Sequence, residues 1–395
     1  MSEQRFHVIG MTDDQSGTFS AEILQLMGRG KVFSGGKRHH EIVASLLPED
    51  AVWIDITVPL DKVFSQYEAY AEIIVFASGD PLFFGFANTL KKRLPNAWMR
   101  VYPVFNSLQT LAHRLVLPYH DMRTVSLTGR PWQNLDEALI RGDKLIGALT
   151  DREKTPSRIA ARMLEYGYDN YRMTVGVHLG NKQAEEVHTL PLNEVIGRNF
   201  GFPNCVILER VYQRERLFGI PESSFYLLNG REKMITKSPI RLQALSMLDL
   251  HQKHTFWDIG FCTGSVSIEA KLQFPHLQIH AFECRPEGET LINLNTRKFG
   301  TPGIEYHIGD FMELDLSDLP APDAVFIGGH GGKLTEMLQK IDRYLLPGGC
   351  IVFNSVSENS LHLFREGIEA IDRRIDNEIG ITVDSYNPIT IIKAI

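Results

Sequence analysis

Residues 256–270 read FWDIGFCTGSVSIEA, and the fold of the second half of the chain turns on them. An apolar run ends at Asp258, turns through Gly260 and Gly264, and opens directly into a helical pattern. Glycine in such a turn lets the backbone approach a ligand closely and leaves the first helical amides pointing at it. Glu283 follows Gly264 by 19 residues, at the end of the next apolar run, where a carboxylate can accept both hydroxyls of a ribose. A dinucleotide fingerprint would need G-x-G-x-x-G; this loop is G-F-C-T-G-S, so the pyrophosphate turn is not matched.

Outward from the loop, the pattern predicts strands over 255–259, 278–282, 304–307, 324–327 and 350–353, with helices over 266–273, 287–299 and 334–345. Five strands separated by helices describe a doubly wound parallel sheet, whose ligands sit beyond the carboxyl ends of the strands. The first half also alternates. Strand-like runs at 6–10, 52–58, 73–77, 144–149, 174–178 and 205–209 are interleaved with helical patterns at 21–27 and 155–167. In the second of these helices Pro156 suits a first turn and Gly167 a C-cap. Both halves are therefore α/β layers. Residues 211–225, VYQRERLFGIPESSF, break the pattern with charge, Gly219 and Pro221, which places a domain boundary near 215 and domains over 1–214 and 215–395.

Composition narrows the function classes. The 395 residues are 43% hydrophobic and 23% charged, which excludes a largely disordered chain. A net charge of -7 argues against a nucleic-acid binder, although a local basic pocket can still take an anionic small molecule. Four scattered cysteines without C-x-x-C give neither a zinc knuckle nor a disulfide framework. No apolar run nears 18 residues and no secretory h-region opens the chain, so a cytoplasmic protein without a membrane span is expected. His276 and His280 lie four apart, but Pro275 and the strand that follows argue against a shared helical face, and no metal is expected. Neither G-x-S-x-G nor a P-loop occurs, and Trp53, Trp98, Trp132 and Trp257 read as packing residues.

In the first half the most specific segment is VFASGDPLFFG (75–85), a strand running into the turn-forming cluster Ser78-Gly79-Asp80-Pro81. Lys37, Arg38, His39 and His40 form the densest basic cluster, readable either as a solvated helix start or as a partner for substrate carboxylates; Arg130 in the TGRP turn is a similar candidate.

Several of these segments occur in a family order. The glycine loop, Glu283, Gly309-Asp310 and the LPGG of 346–349 resemble the class I S-adenosyl-L-methionine-dependent methyltransferases. With MITKSPIRLQALSMLDL (234–250) and DAVFIGGHGG (323–332), residues 220–395 are similar to the CbiT-type methyltransferases of cobalamin biosynthesis. That resemblance implies a cofactor site lined by Thr236, Gly260, Phe261, Cys262, Thr263, Gly264, Glu283, Asp310 and Phe311, with Gly328 and Gly329 flanking the transferring methyl; the family usually has glycine where Cys262 stands. The SGDP segment is accompanied by SGGKRHH (34–40), NSLQTLAHRLVLPYHD (106–121), ALTDREKTPSRIAARML (148–164) and FPNCVILER (202–210). Together they resemble the CbiE branch of the tetrapyrrole methylases, whose class III fold is implied for about residues 5–211. Gly79, Asp80, Gly85, Ser107, Leu108, Ala148, Leu149 and Thr150 would then hold S-adenosyl-L-methionine, largely through backbone groups. The stretch Gly10–Gln15 departs from the glycine- and proline-rich loop that the family carries after its first strand.

A CbiE-like half joined to a CbiT-like half is similar to the CobL-type fused methyltransferases. This implies two methyl transfers to a tetrapyrrole, at C5 and C15 of precorrin-6Y or its cobalt form, with loss of the C12 acetate carboxyl to give precorrin-8. The alternative is a single-site methyltransferase in which only the C-terminal half is active. The expected partner is a small, acid-fringed tetrapyrrole, with neither nucleic acid nor membrane, and relatives of both halves self-associate, so a homo-oligomer is expected. Lys37, Arg38 and Arg130 would meet carboxylates at the first site, and Arg231, Lys233 and Lys237 at the second.

Overall fold

The computed structural model describes residues 4–14, 18–231, 234–384 and 387–395; Gln15 and Lys233, singled out above, lie outside the described residues. The chain falls into two compact units. One runs to Arg130 and adds Lys144–Ala160 and Tyr171–Glu209; the other takes Pro131–Asp143, Ala161–Asn170 and the chain from Arg210 onward.

The first unit opens with β1 (Arg5–Met11), α1 (Ala21–Arg29), β2 (Val32–Gly35), α2 (Lys37–Val43), β3 (Val52–Asp55), α3 (Asp61–Tyr67), β4 (Glu72–Ser78), α4 (Phe86–Arg93) and β5 (Trp98–Tyr102). The strands form a parallel sheet in the order β3-β2-β4-β1-β5. Side chains alternate across it: Phe6, Val8, Ile73 and Val75 join one core, and Ile9, Met11, Ile74 and Phe76 another. Burial on both faces is why these strands read as unbroken apolar runs. β3 stops at Asp55 rather than at 58. Val58 is exposed and precedes Pro59, which has no N–H to give to a ladder.

A second sheet follows through α5 (Ser107–Arg114), β6 (Arg123–Ser126), α6 (Gln133–Arg141), β7 (Leu145–Leu149), α7 (Pro156–Glu165), β8 (Tyr171–Val177), β9 (Glu186–Pro191), α8 (Leu192–Val195) and β10 (Asn204–Arg210). Its order is β6-β7-β10-β8-β9, parallel at β6–β7 and antiparallel at β7–β10 and β8–β9. Asn106 starts α5 with a reciprocal cap: its side chain accepts the Gln109 N–H at 2.9 Å, and the Gln109 side chain accepts the Asn106 N–H at 3.0 Å. Pro156 opens α7, and Gly167, two residues past its end, takes a φ of 71°.

In the second unit α9 (Ser238–Leu248) precedes β11 (Thr255–Ile259), α10 (Ser265–Gln273), β12 (Gln278–Glu283), α11 (Glu287–Phe299), β13 (Ile304–Ile308), β14 (Ala324–Ile327), α12 (Leu334–Asp342), β15 (Cys350–Ser355), α13 (Glu358–Ala370), β16 (Ile375–Ile381) and β17 (Ile389–Ala394). The sheet order is β13-β12-β11-β14-β15-β17-β16. The five expected strands are parallel and reverse direction of winding between β11 and β14, the switch point where ligands bind in open α/β sheets. Two further strands correct the all-parallel expectation: β17 runs antiparallel to both β15 and β16. β16, IDNEIGI, is a mostly exposed edge strand, so it lacks the apolar run that marks the others. The protein is α/β throughout, with two five-stranded sheets in the first half and a Rossmann-like doubly wound sheet in the second.

Candidate functional site

A cavity of about 710 Å³ opens at the carboxyl ends of the second unit's parallel strands. Gly260, Phe261 and Cys262 form its floor, Glu283 and Phe311 one wall, and Gly328 and Gly329 another. Gly260 has a φ of 80°, and a Cβ there would lie 2.8 Å from the Gly329 nitrogen. The loops after β11 and β14 therefore meet backbone to backbone, which only glycine permits. Gly264, at φ 76°, caps α10, and a Cβ on it would press on Ile292. Neither Thr263 nor Gly264 is in the lining; both are buried.

Cys262 also has positive φ, 50°, in a conformation that side chains resist. Its side chain clusters with Leu228 and Leu291, and burial pushes the thiol up to about 11, with Glu283 adding to the effect. The sulfur is thus a packing atom, protonated at neutral pH.

Glu283 is buried and held from two sides. Its Oε2 accepts the Cys262 N–H at 2.9 Å and its Oε1 the Arg285 N–H at 3.0 Å. The Cys284 thiol also donates to Oε1, at 3.3 Å. Of about four lone-pair sites one is thus free and a second is held only by a weak thiol donor, which an arriving hydroxyl can displace. Asp310 ion-pairs with Lys333 across 2.9 Å at the rim. Lys340 pins the Phe311 loop by donating to the carbonyls of Phe311, Met312 and Leu314. Thr236 and Lys237 reach the cavity on the segment before α9, whereas Arg231 does not line it. That segment is tied down by Arg241, fully buried against Glu269 at 2.6 Å, whose Nη1 donates to the Thr236 carbonyl at 2.8 Å.

Asp258 lies under the floor with no solvent exposure. Burial pushes its carboxyl up to about 7, although the Ser267 N–H and hydroxyl donate to Oδ2 at 3.1 and 2.6 Å and favour the charge. The folded chain therefore holds a proton here that the unfolded chain, with an ordinary carboxylate, releases near pH 4. Stability from this group falls as pH rises from about 4 to 7 and is level above that. Asp258→Asn keeps an acceptor for Ser267 and removes the titration. Urea unfolding at pH 5 and pH 8 is expected to show the variant gaining a few kcal/mol on wild type between the two.

Two polar residues not singled out in the sequence also line this cavity. Asn354, at the end of β15, is 9% exposed, and its Oδ1 has no partner among the described residues. His330 follows β14; its Nδ1 accepts the Gly332 N–H at 3.2 Å, and burial holds its pKa below the ordinary value. Each stands just past an apolar run, so the rule that ligands sit beyond strand ends could have found both. Thr263 Oγ1 is likewise buried without a partner among the described residues, but it lies outside the lining. The orphan Asn354 oxygen, a glycine turn and a carboxylate with acceptor capacity left fit a ligand that carries hydroxyls and an amino-acid tail.

The first unit has its own cavity, about 430 Å³, lined by Gly79, Gly85, Ser107, Leu149 and Arg38 among the expected residues. Asp80, Leu108, Ala148, Thr150, Lys37 and Arg130 are outside the lining. Asp80 accepts the Leu82 N–H at 2.9 Å, Thr150 donates to Asn204, and the Arg130 guanidinium sits 4.9 Å over the Phe84 ring. Leu108 and Ala148 are fully buried. Arg38 is not a free cation. Its Nη1 meets Asp13 at 2.9 Å and its Nη2 donates to Ser78 at 2.8 Å, while His178 Nδ1 holds the other Asp13 oxygen at 2.9 Å. His40 stacks on Trp53 at 4.1 Å. The Asp13–His178 contact spans 165 residues, and no local pattern announces it.

A family model described as a precorrin methyltransferase domain matches residues 228–376. The chain is 31% identical over 353 residues to a precorrin-6Y C(5,15)-methyltransferase (decarboxylating) of Sinorhizobium sp, a match covering 89% of this chain and 84% of that protein. It is 39% identical over 135 residues to a cobalt-precorrin-6B C(15)-methyltransferase (decarboxylating) of Salmonella typhimurium, covering 34% of this chain and 69% of that one. Among solved structures, a precorrin-6Y C5,15-methyltransferase from Geobacter metallireducens GS-15 aligns at a TM-score of 0.42 with 34% identity, over 46% of this chain and 98% of its own.

Proposed function

The chain belongs to the precorrin-6Y C5,15-methyltransferase (decarboxylating) family, and from that premise we propose that it transfers two methyl groups to a precorrin-6Y-type tetrapyrrole, at C5 and C15, with loss of the C12 acetate carboxyl. The observation that carries this reading is the presence of two separate cavities, one in each compact unit, within a relationship that runs through both. We assign C15 methylation and decarboxylation to the second unit and C5 methylation to the first, with the functional division near residue 215. Four free cysteines suit work in a reducing compartment such as the cytoplasm.

S-adenosyl-L-methionine, bound in each cavity, would supply a methyl already activated on sulfur. In the second unit Glu283 would hold its ribose hydroxyls, the Gly260–Cys262 turn its methionine end, and Phe311 would border the base. Gly328 and Gly329, which line the same cavity, would flank the transferring methyl. In the first unit Gly79, Gly85, Ser107 and Leu149 would seat the donor. The protein's task is to orient donor and macrocycle in line and to exclude water, and proximity alone can lower such a barrier by several kcal/mol. Electrons released by decarboxylation flow into the conjugated ring. The chain must then recognise carboxylates, a role that would fall to Lys237 and His330, which line one cavity, and to the cleft around Arg38 at the other.

Incubation with the tetrapyrrole and labelled methyl donor, read by mass spectrometry, tests this. The expected product gains two methyls and loses one carboxyl; a gain of one methyl would reduce the enzyme to a single-site transferase. Calorimetry with S-adenosylhomocysteine is expected to give two sites per chain.

A further inference from the structure

The hydroxyl of Ser78, at the end of β4, is the junction of three side chains in the first unit's cavity. Its oxygen lies 2.8 Å from Arg38 Nη2 and 3.0 Å from His39 Nε2. Arg38 can only donate. His39 Nδ1 accepts the Gly36 N–H at 3.2 Å, so that nitrogen carries no proton and the ring's hydrogen is on Nε2, pointing at Ser78. Burial and the neighbouring Arg38 charge lower the His39 pKa to about 4, so the ring stays neutral near pH 7. Both lone pairs of the Ser78 oxygen are therefore taken by donors. Its own hydrogen must point elsewhere, and no protein acceptor receives it among the described residues, while Ser78 is exposed in the cavity lining.

We propose that Ser78 is a substrate-positioning donor: its hydroxyl hydrogen, aimed into the cleft by Arg38 and His39, binds a carboxylate oxygen of the tetrapyrrole. Two donors on one oxygen polarise its O–H and strengthen the bond it gives. Asp13 fits the same arrangement. By neutralising Arg38 and fixing its fork, it makes the arginine an orienting group for Ser78 rather than the direct anion receptor. Selectivity then comes from one directed O–H whose direction is set by proton placement, because a group that must donate rejects a ligand donor at that point. The proposal rests on the reading of this cleft as the C5 methylation site.

The test uses the full chain, with methyl transfer to C5 read by NMR of the labelled product. Ser78→Ala is expected to raise KM for the tetrapyrrole roughly ten- to hundredfold, the range for a lost hydrogen bond to a charged group, with kcat little changed. S-adenosylhomocysteine affinity and Tm are expected to match wild type, and Ser78→Thr, which keeps a hydroxyl, to recover most of the loss. His39→Phe frees one lone pair and the aim of the O–H, and is expected to raise the same KM without altering donor binding. An unchanged KM in Ser78→Ala overturns the proposal, as does a loss confined to S-adenosylhomocysteine affinity, which would assign the hydroxyl to the donor's carboxylate. A wild-type chain that never methylates C5 overturns the underlying reading of the cleft and the proposal with it.

Discussion

Gly260→Ala is expected to lower S-adenosylhomocysteine affinity at the second unit's cavity by on the order of a hundredfold or more and to stop methyl transfer there. Two costs add. The φ of 80° disfavours any side chain by about 1–3 kcal/mol, and the new Cβ would sit 2.8 Å from the Gly329 nitrogen and 3.2 Å from its Cα and oxygen. Those are backbone atoms that cannot rotate away, so the loops after β11 and β14 must part, and with them the floor and one wall of the cavity. Isothermal calorimetry on the full chain separates the effect: one of two sites is lost and the first unit's site persists. Gly329→Ala is the control, since a Cβ there meets no atom within 4 Å. Its Tm is expected to equal wild type, so any binding it loses reports ligand contact alone. Full S-adenosylhomocysteine affinity in Gly260→Ala would remove the glycine turn from the donor site.

Arg241→Met carries the largest expected effect on stability, about 3–5 kcal/mol, because it strands Glu269 with no exposure and no counter-charge. Three further bonds depend on the pair: Arg241 donates to the carbonyls of Thr236 and Ile220, and Glu269 accepts the Gly219 N–H. For a unit of this size the loss corresponds to a fall in its Tm of roughly 10 °C, measurable by scanning calorimetry. The double variant Arg241→Met/Glu269→Leu is expected to recover part of it, since no lone charge is left buried; recovery stays incomplete because the Gly219 N–H loses its acceptor. A single variant within about 1 kcal/mol of wild type would show that the pair is dispensable. The same substitution loosens Thr236, so donor affinity at the adjacent cavity is expected to weaken as well.

The parts of this molecule legible in the sequence are those written locally. The glycine turn, Glu283 and the strands over 255–259 and 324–327 depend on neighbours a few residues away, and their bounds match the structure. What the sequence concealed depends on distance along the chain or on exposure. β16 is an edge strand carrying Asp376, Asn377 and Glu378, which no apolar periodicity marks. Arg38 read as a free cation because Asp13, its partner, sits 25 residues earlier in a stretch with no motif. Asp80 reads as a ligand group from its place in SGDP, yet its side chain closes its own turn on Leu82. Asn354 near the end of β15 and His330 shortly after β14 carry no motif spacing. The strand-end rule could have pointed to both, but their meeting is visible only in the cavity.

The position of β17 in its sheet bears on how the protein is made. Ile391 and Ile392 are fully buried, and their strand lies between β15 and β16, so the sheet cannot be completed until residues 389–394 have left the ribosome. The first unit's sheets need nothing beyond Arg210 and can form while the rest is still being translated. The nascent chain is thus expected to pass through a stage with the first unit's sheets paired and the second unit's sheet waiting. In that interval the apolar edge of β15, CIVFNS, is unpaired, and a stalled or truncated product would expose it to chaperones and to aggregation.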